Sequence, residues 1–147
     1  MHFLRLTTIY ATVCIFGCGY AGSSLQTSNS NQAVRQADQS KIDVISVEIL
    51  NDSFLDREKP SQYAGEIVQI TGKVVAFALT AKNQYAVTIR ENNIDAICTF
   101  DASVSTRLGD DRTIHYGATL TIQGQCFASS LFSTNPFTLD GCQLVTN

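Results

Sequence analysis

Residues 66–79 read EIVQITGKVVAFAL, and this stretch decides the fold class. Its side chains alternate with a period of two, since Val68, Ile70 and Val74 fall on one face and polar residues fall between them. That rhythm is typical of a β-strand with one buried face. The strand is long, and Gly72 near its middle favours a bend or bulge at which one strand serves two sheets. The sequence therefore predicts a β domain built around this strand.

Four further strands follow it with the same alternation, at 85–90, 94–100, 118–126 and 137–145. Asn92-Asn93 suits a tight hairpin, because asparagine tolerates positive φ. The longest connection, 101–116, has room for one or two helical turns over 102–108. Together these features predict a mainly β fold, a five-stranded Greek-key barrel of the OB type. A small open sheet carrying a helix and another compact sandwich are the alternatives.

One amphipathic α-helix is expected before the barrel. Between Ile42 and Leu55, apolar residues recur at three- and four-residue intervals, which places them on one face of a helix: they are Ile42, Ile45, Ile49, Leu50 and Phe54. Pro60 follows and cannot continue a helix. We expect this helix to pack on the barrel.

The segment before that helix, residues 18–40, is rich in Ser, Asn and Gln and has almost no apolar periodicity. Such a composition does not offset the entropy lost on ordering. It predicts a flexible tether with an end-to-end distance of about 25 Å. A helix through Gln32–Gln39 is the alternative.

The N-terminus, residues 1–17, reads MHFLRLTTIYATVCIFG. One basic residue, Arg5, precedes an apolar run that is too short for the roughly 20 helical residues a membrane span needs, but suits a signal peptide. The run ends in Ile15-Phe16-Gly17-Cys18, which resembles a lipobox: a small residue precedes the cysteine whose thiol receives the lipid. We therefore expect cleavage before Cys18 and lipidation of its thiol. A plain secretory signal and an uncleaved single-pass anchor are the alternatives.

This pattern divides the chain into a signal peptide (1–17), a lipidated tether (18–40) and an OB-fold domain (41–147). Gly19 resembles the sorting signal of outer-membrane lipoproteins. The expected location is therefore the bacterial outer membrane, with the domain in the periplasm. Two or three acyl chains on Cys18 would make the attachment to the membrane stable.

The charge balance limits the classes of partner. Charged residues are 16% of the 147, and the formal net charge is −3, which argues against broad capture of nucleic acid by clustered cations. The acids are scattered, His2 and His115 are the only histidines, and no CxxC is present. The sequence therefore predicts neither a metal site nor a cofactor.

Three cysteines lie in the domain, Cys98, Cys126 and Cys142. In an oxidising compartment an odd number leaves one thiol unpaired, and the preferred bridge is Cys126–Cys142, with Cys98 buried and reduced. A simple hairpin does not bring those two opposite each other, so the bridge needs a bulge near Asp140-Gly141 or a contact across the barrel interior. Three reduced core cysteines are the alternative.

Catalysis by a cysteine and a histidine is disfavoured. Cys98 lies between Ile97 and Thr99 in a strand, where burial is expected, whereas a catalytic thiol has to be exposed and activated. The sequence therefore predicts a protein that is not an enzyme.

Six stretches of the domain are built around spaced glycines and cysteines: YAGE at 63–66, VQITGKV at 68–74, AICTF at 96–100, YG at 116–117, LTIQGQC at 120–126 and LDGCQL at 139–144. With the preceding helix, they resemble a family of bacterial OB-fold lipoproteins whose barrel is similar to the anticodon-binding domain of tRNA synthetases. The resemblance covers about residues 42–145. It implies a fold and a lipid anchor but no assigned activity, since fold alone does not carry function.

OB barrels usually hold ligands on the second and third strands and on the loops after the first and fourth. The candidate residues there are Lys73, Phe77, Lys82, Thr88, Arg90 and Phe127, with Phe132 and Phe137 nearby. We expect a lipid-anchored envelope protein whose barrel binds a protein or another envelope component. Binding of single-stranded nucleic acid or an oligosaccharide is the alternative, and nucleic acid is disfavoured because the cations are few.

Overall fold

Six strands and two α-helices make up the part of the chain that the structure describes, a computed structural model covering residues 23–56, 58–80, 84–101, 113–130 and 133–145. In chain order the elements are α1 (Ser23–Gln36), a 3-10 turn (Gln39–Lys41), β1 (Asp43–Val44), α2 (Val47–Leu55), β2 (Ile67–Leu79), β3 (Tyr85–Glu91), β4 (Ile94–Phe100), β5 (Thr119–Ala128) and β6 (Phe137–Leu144). The side chains of residues 23–28 are not described.

Strands β2 to β6 close into a barrel. Their order is β2-β3-β4-β6-β5, and β5 returns to pair with β2. All these pairs are antiparallel except β4–β6. This is the five-stranded OB-type barrel that the sequence predicted. The short β1 adds a parallel strand beside the first half of β2.

Strand β2 serves two neighbours, as predicted. Residues 67–73 pair with β5 and residues 73–79 pair with β3. The bulge lies between Val74 and Ala76, just beyond the expected position at Gly72. Gly72 instead allows close approach, because a Cβ there would lie 3.1 Å from the carbonyl oxygen of Arg90.

The β3–β4 hairpin is confirmed at its turn. Asn92 and Asn93 have φ of 49° and 66°, the left-handed conformation that a two-residue hairpin needs. The helical turns expected over 102–108 lie outside the described residues.

Helix α2 covers one end of the barrel. Val47, Leu50 and Phe54 are buried, and the ring of Phe54 stacks on Phe137 with centroids 5.8 Å apart. The backbone N–H of Val47 donates to Glu91 Oε2 at 2.6 Å, which ties the start of α2 to the end of β3. The predicted helix is thus confirmed in its packing.

The start of α2 differs from the prediction by five residues. Ser46 caps it, because its hydroxyl accepts from the N–H of Ile49 at 3.2 Å. Ile45 precedes the cap and donates its N–H to the carbonyl of Gln69 at 2.9 Å. Ile49 therefore points away from the barrel and is 53% exposed.

Helix α1 corrects the expectation of a flexible tether. It lies on the outer side of β5 and β6 with Val34 fully buried. Asn31 Nδ2 donates to Asp101 Oδ2 at 2.7 Å, and Gln123 Nε2 donates to the Val34 carbonyl at 3.3 Å. These contacts between α1 and the barrel offset the entropy that the segment loses on ordering, which its polar composition alone does not offset. The helix also starts well before Gln32, where the alternative placed it.

The approach of α1 depends on Gly141. This residue has a φ of +64°, and a Cβ on it would overlap backbone atoms of Ser30 and Asn31. Glycine thus provides both the left-handed backbone and the space for the helix.

None of the described helices is both long and apolar enough to cross a membrane. The predicted signal peptide and Cys18 lie outside the described residues.

Candidate binding surface

Three of the predicted ligand residues share one side of the barrel, the outer side of β2, β3 and β4, which we term the open face. Lys73 is directly opposite Arg90, and Thr88 is opposite Ala76. Directly paired residues point to the same side of a sheet, and their neighbours Val87 and Ile89 are fully buried in the core. Lys73, Thr88 and Arg90 therefore face outward together.

The cation of Arg90 is already paired. Asp95 lies opposite it on β4 and accepts from its Nε and Nη2 at 2.5 and 2.8 Å. This two-point contact raises the pKa of Arg90 and lowers the pKa of Asp95. Lys73 is the one cation on the described part of the open face that has no ion-pair partner. The described residues of this face thus offer little positive charge to a phosphate backbone.

Between these charges and the hairpin end, the open face is made of uncharged side chains, most of them small. The register places on it Ala76, Ala78, Ala86, Thr88, Ile97 and Thr99. Such a surface lets another backbone approach closely.

Phe77 does not belong to the open face. It lies opposite Val87, which points into the core, so Phe77 is on the inner side of the sheet near the end of the β2–β3 hairpin. Its ring stacks on Tyr85, with centroids 6.1 Å apart and planes at 16°. Leu79 is opposite Tyr85. We term Phe77, Leu79 and Tyr85 the hairpin cluster.

The hairpin cluster is apolar and accessible. Phe77 is 45% exposed and Leu79 is 61% exposed, while Tyr85 packs against the edge of the core. The N–H of Thr80 donates to the carbonyl of Gln84 at 2.8 Å and closes the hairpin just beyond it. Leu79 and Tyr85 were not among the sequence candidates. The register of the β2–β3 hairpin could have shown that Leu79 and Tyr85 lie on the same side of the sheet as Phe77.

The remaining aromatic candidates lie elsewhere. Phe127 is on the outer side of β5, eight residues or about 26 Å along the strand from Thr119, which is opposite Lys73. Phe137 is fully buried against Phe54, so its nomination as a ligand residue was wrong. Lys82 and Phe132 lie outside the described residues.

One exposed aromatic residue beside Lys73 was missed. Tyr116 is 74% exposed, and the adjacent Gly117 lies so near Lys73 that a Cβ on it would be 3.7 Å from Lys73 Cε. Tyr116 belongs to the connection before β5, and only the folded chain brings that connection to β2.

A cavity of about 380 Å³ lies between the end of α2 and the start of β6. Its lining includes Phe54, Asp56, Lys59, Pro60, Ala128 and Pro136. None of the predicted ligand residues that the structure describes is in its lining.

The three cysteines within the described residues are free, buried thiols, so the predicted Cys126–Cys142 bridge is not formed. The bulge that it required is present at Gly141, but the register puts Leu139, not Cys142, opposite Cys126. The predicted burial of Cys98 is confirmed. Burial raises the pKa of Cys126 to about 12 and the pKa of Cys142 well above its usual value.

Among the described residues, no group of three or more histidine, cysteine or acidic side chains is placed to hold a metal ion. Cys98 is fully buried, whereas His115 is exposed.

The barrel fold agrees with the protein family that the sequence matches. The profile of the tRNA_anti-like family matches residues 1–140. The chain belongs to this family. The match spans the predicted signal as well as most of the barrel. No curated protein sequence matches the chain.

Solved structures with this fold include a lipoprotein from Klebsiella pneumoniae subsp. pneumoniae that is provisionally assigned as nucleic acid-binding. The two share 22% identity with a TM-score of 0.58, over 76% of this chain and 100% of that one. A provisionally assigned aspartyl-tRNA synthetase from Leishmania major has 13% identity and a TM-score of 0.48, over 77% of this chain and 22% of that one. The asparaginyl-tRNA synthetase of Entamoeba histolytica has 12% identity and a TM-score of 0.45, over 55% and 21%. This chain thus spans about a fifth of each synthetase. At these identities the likeness to the lipoprotein shows the fold.

Proposed function

We propose that this chain is a lipid-anchored envelope protein of the bacterial outer membrane whose OB barrel binds a protein partner or another envelope component. The hairpin cluster is the observation that carries the binding role. It presents Phe77 and Leu79, two exposed apolar side chains backed by Tyr85, on the rim of an otherwise closed core. Exposed aromatic and aliphatic groups on a rigid strand pair are typical anchors for a partner.

The anchor rests on the sequence before the described residues. The lipobox-like Ile15-Phe16-Gly17-Cys18 follows a signal-like apolar run, and Gly19 suits outer-membrane sorting. The similar Klebsiella structure carries the description of a lipoprotein, which supports the same address.

The charge of the open face favours a protein partner over a polyanion. Asp95 already neutralises Arg90, and the surface between it and the hairpin end is built of uncharged side chains. Phosphate recognition needs several free cations on one surface. A protein partner needs only a complementary apolar patch with a polar rim.

We further propose that the protein is not an enzyme. The pKa of the Cys126 thiol is raised to about 12 by burial, which keeps it protonated and is the opposite of what a nucleophile requires.

The test is photo-crosslinking in cells of the full, membrane-attached chain, with a crosslinking amino acid at Phe77 or Leu79. We expect one recurrent envelope protein to be captured from both positions. Val44 is the matched control site, because it is an apolar residue with 73% of its surface exposed. It lies in β1, beside the first half of β2 and away from the hairpin end. Capture that is equal from Val44, or no recurrent partner, would overturn the binding role, and an unmodified Cys18 in the same mass spectra would overturn the anchor.

Binding of single-stranded nucleic acid is the second candidate, favoured by the stacked Phe77–Tyr85 pair. Aromatic side chains can stack on bases of any sequence. Lys73 and Tyr116 lie near each other on the adjoining surface. If this candidate is correct, a fluorescent oligonucleotide binds the full chain with an affinity that falls as salt rises and falls again in Lys73→Ala. Protein binding predicts no such salt dependence.

A further inference from the structure

Docking of α1 leaves only a short stretch of chain between the proposed lipid and the folded domain. The helix begins at Ser23, five residues after Cys18. Five residues span at most about 18 Å when fully extended, whereas a tether over all of 18–40 would reach up to about 80 Å. A lipid on Cys18 therefore holds the start of α1 within about 18 Å of the bilayer.

The direction of α1 across the strands determines which part of the barrel is held there. The carbonyl of Val34 accepts from Gln123 of β5 at 3.3 Å. The backbone of Asn31 lies against Gly141 of β6, and its side chain donates at 2.7 Å to Asp101, which follows β4. These strands are consecutive around the barrel, β5-β6-β4, and β3 and β2 come next. Toward its N-terminus the helix thus advances from β5 to β4 and onward to β3.

The hairpin cluster lies at the same end of the barrel. Asp101 directly follows Phe100, which is opposite Tyr85. Tyr85 is in turn opposite Leu79. Two strand spacings therefore separate Phe100 from Leu79, about 10 Å. The start of α1 is eight residues, or about 12 Å of helix, beyond Asn31 in that direction. The lipid attachment and the hairpin cluster are thus close neighbours.

The opposite end of the barrel is held away from this attachment. Strand β2 runs the length of the barrel, from Ile67 to Leu79. Glu66, just before its start, is exposed. At about 3.3 Å per residue, up to about 40 Å of chain separates Glu66 from Leu79. The two ends of one strand should therefore lie at different distances from the bilayer.

We propose that α1 orients the barrel with the hairpin cluster toward the bilayer, and that the partner of this cluster is a protein embedded in the same membrane. The orientation rests on the lipid anchor, and the class of partner rests on the binding role, both proposed above. A surface held toward the bilayer at this range meets the rims of membrane-embedded proteins. A soluble partner would have to enter the gap between barrel and bilayer.

The orientation is tested on the full chain carrying either Leu79→Cys or Glu66→Cys. Each protein is isolated from cell membranes with its own lipid, labelled with a fluorescent maleimide and placed in phosphatidylcholine vesicles that contain a nitroxide headgroup lipid. The three barrel cysteines are buried, and the lipid blocks Cys18, so only the introduced thiol reacts. Quenching should be at least about twofold stronger at residue 79 than at residue 66, because of the length of β2 between them.

A longer tether is the matched control. About 20 Gly and Ser residues inserted between Gly22 and Ser23 leave every described residue unchanged but add a flexible coil. Quenching at residues 79 and 66 should then become nearly equal. Equal quenching without the insertion would overturn the orientation. Quenching at residue 79 by nitroxides deep in the acyl chains would place the cluster in lipid and overturn the protein partner.

The class of partner is tested on the protein that is photo-crosslinked in cells from Leu79. It should remain in the membrane after a wash at high pH that strips peripheral proteins, and a partner released by that wash would overturn its class. Failure of the proposed function is distinguishable. An unmodified Cys18 overturns the anchor, and the lack of a recurrent partner overturns the binding role. A lipidated Cys18 with equal quenching at both sites overturns the orientation alone.

Discussion

Two outer surfaces of the same barrel differ in their exposure to solvent. On β5 and β6, α1 covers the outward side chains, so that Gln123 is only 3% exposed. On β2 to β4, the open face leaves Lys73 and Arg90 in solvent. Both surfaces have polar residues at alternate positions, so the strand pattern alone does not distinguish them. Their difference comes from a helix that belongs to neither surface.

The position of α1 limits the barrel surfaces on which a partner can bind. Helix α1 occupies the covered surface through Asn31 and Val34, and its backbone packs directly against Gly141. The open face and the hairpin cluster are left for recognition. A variant that removes α1 should therefore change stability, and a variant on the open face should change stability little.

The largest effect is expected from Gly141→Ala. The new Cβ would overlap the backbone of Ser30 and Asn31, and the left-handed φ is itself costly for alanine. We expect a loss of at least about 3 kcal/mol in the free energy of unfolding, measured by urea denaturation. Trypsin should also cleave more rapidly after Arg35 once α1 is released.

Gly65→Ala is the matched control. Gly65 has a φ of +86°, but nothing lies within 4 Å of a Cβ placed on it. It should cost only the backbone strain, about 1 to 2 kcal/mol, and leave cleavage at Arg35 unchanged. Equal losses in the two variants would show that α1 does not pack tightly at Gly141.

The next largest effect is expected from Val34→Ala. Val34 is fully buried under α1, so losing two methyl groups should destabilise the protein by about 2 kcal/mol. Val44→Ala removes the same atoms from a side chain that is 73% exposed, and should change the free energy of unfolding by less than about 0.5 kcal/mol. The pair measures how firmly α1 is docked.

A smaller effect of opposite sign is expected from Asp140→Asn. Burial raises the pKa of Asp140, against a hydrogen bond from Thr99 that lowers it. The folded state therefore favours the protonated acid, and the stability that this gives is lost as pH rises from about 4 through the folded pKa. Asp140→Asn should be more stable than the parent at pH 7 and equal to it at pH 3, by urea midpoints. A lower midpoint at pH 7 would contradict this reasoning.

The smallest effect is expected from Asp95→Asn on the open face, where the sign reverses. The contact with Arg90 lowers the pKa of Asp95. The stability from this pair is present above pH 4 and is lost as pH falls through the folded pKa. Because the pair is exposed, Asp95→Asn should lower the urea midpoint slightly at pH 7 and not at pH 2.5. The two carboxylates on one barrel should thus show opposite pH profiles.

Much of the fold could be predicted because strands carry their own signal. The alternation in 67–79 and the tolerance of Asn92 and Asn93 for positive φ are local properties, and both features appear where the sequence placed them. The start of α2 was misplaced because Ile42 and Ile45 also satisfy helical spacing, while the hydrogen bond from Ile45 to Gln69 belongs to a remote strand.

The candidate site was only partly predictable. Lys73, Thr88 and Arg90 share a face as expected, since period two and hairpin register together determine it. Phe77 was assigned to the wrong side because the bulge between Val74 and Ala76 shifts the alternation by one residue. The ion pair of Arg90 with Asp95 depends on the register between β3 and β4. The sequence candidates were chosen as single cations, without the residues opposite them.

The sequence by itself determined the number of barrel strands, their order along the chain and the tight turn between β3 and β4, because these depend on neighbours a few residues apart. Only the tertiary structure decided that a polar N-terminal segment is a helix docked on β5 and β6. That outcome depends on surfaces that meet across tens of residues of chain, and burial there is a property of the closed barrel.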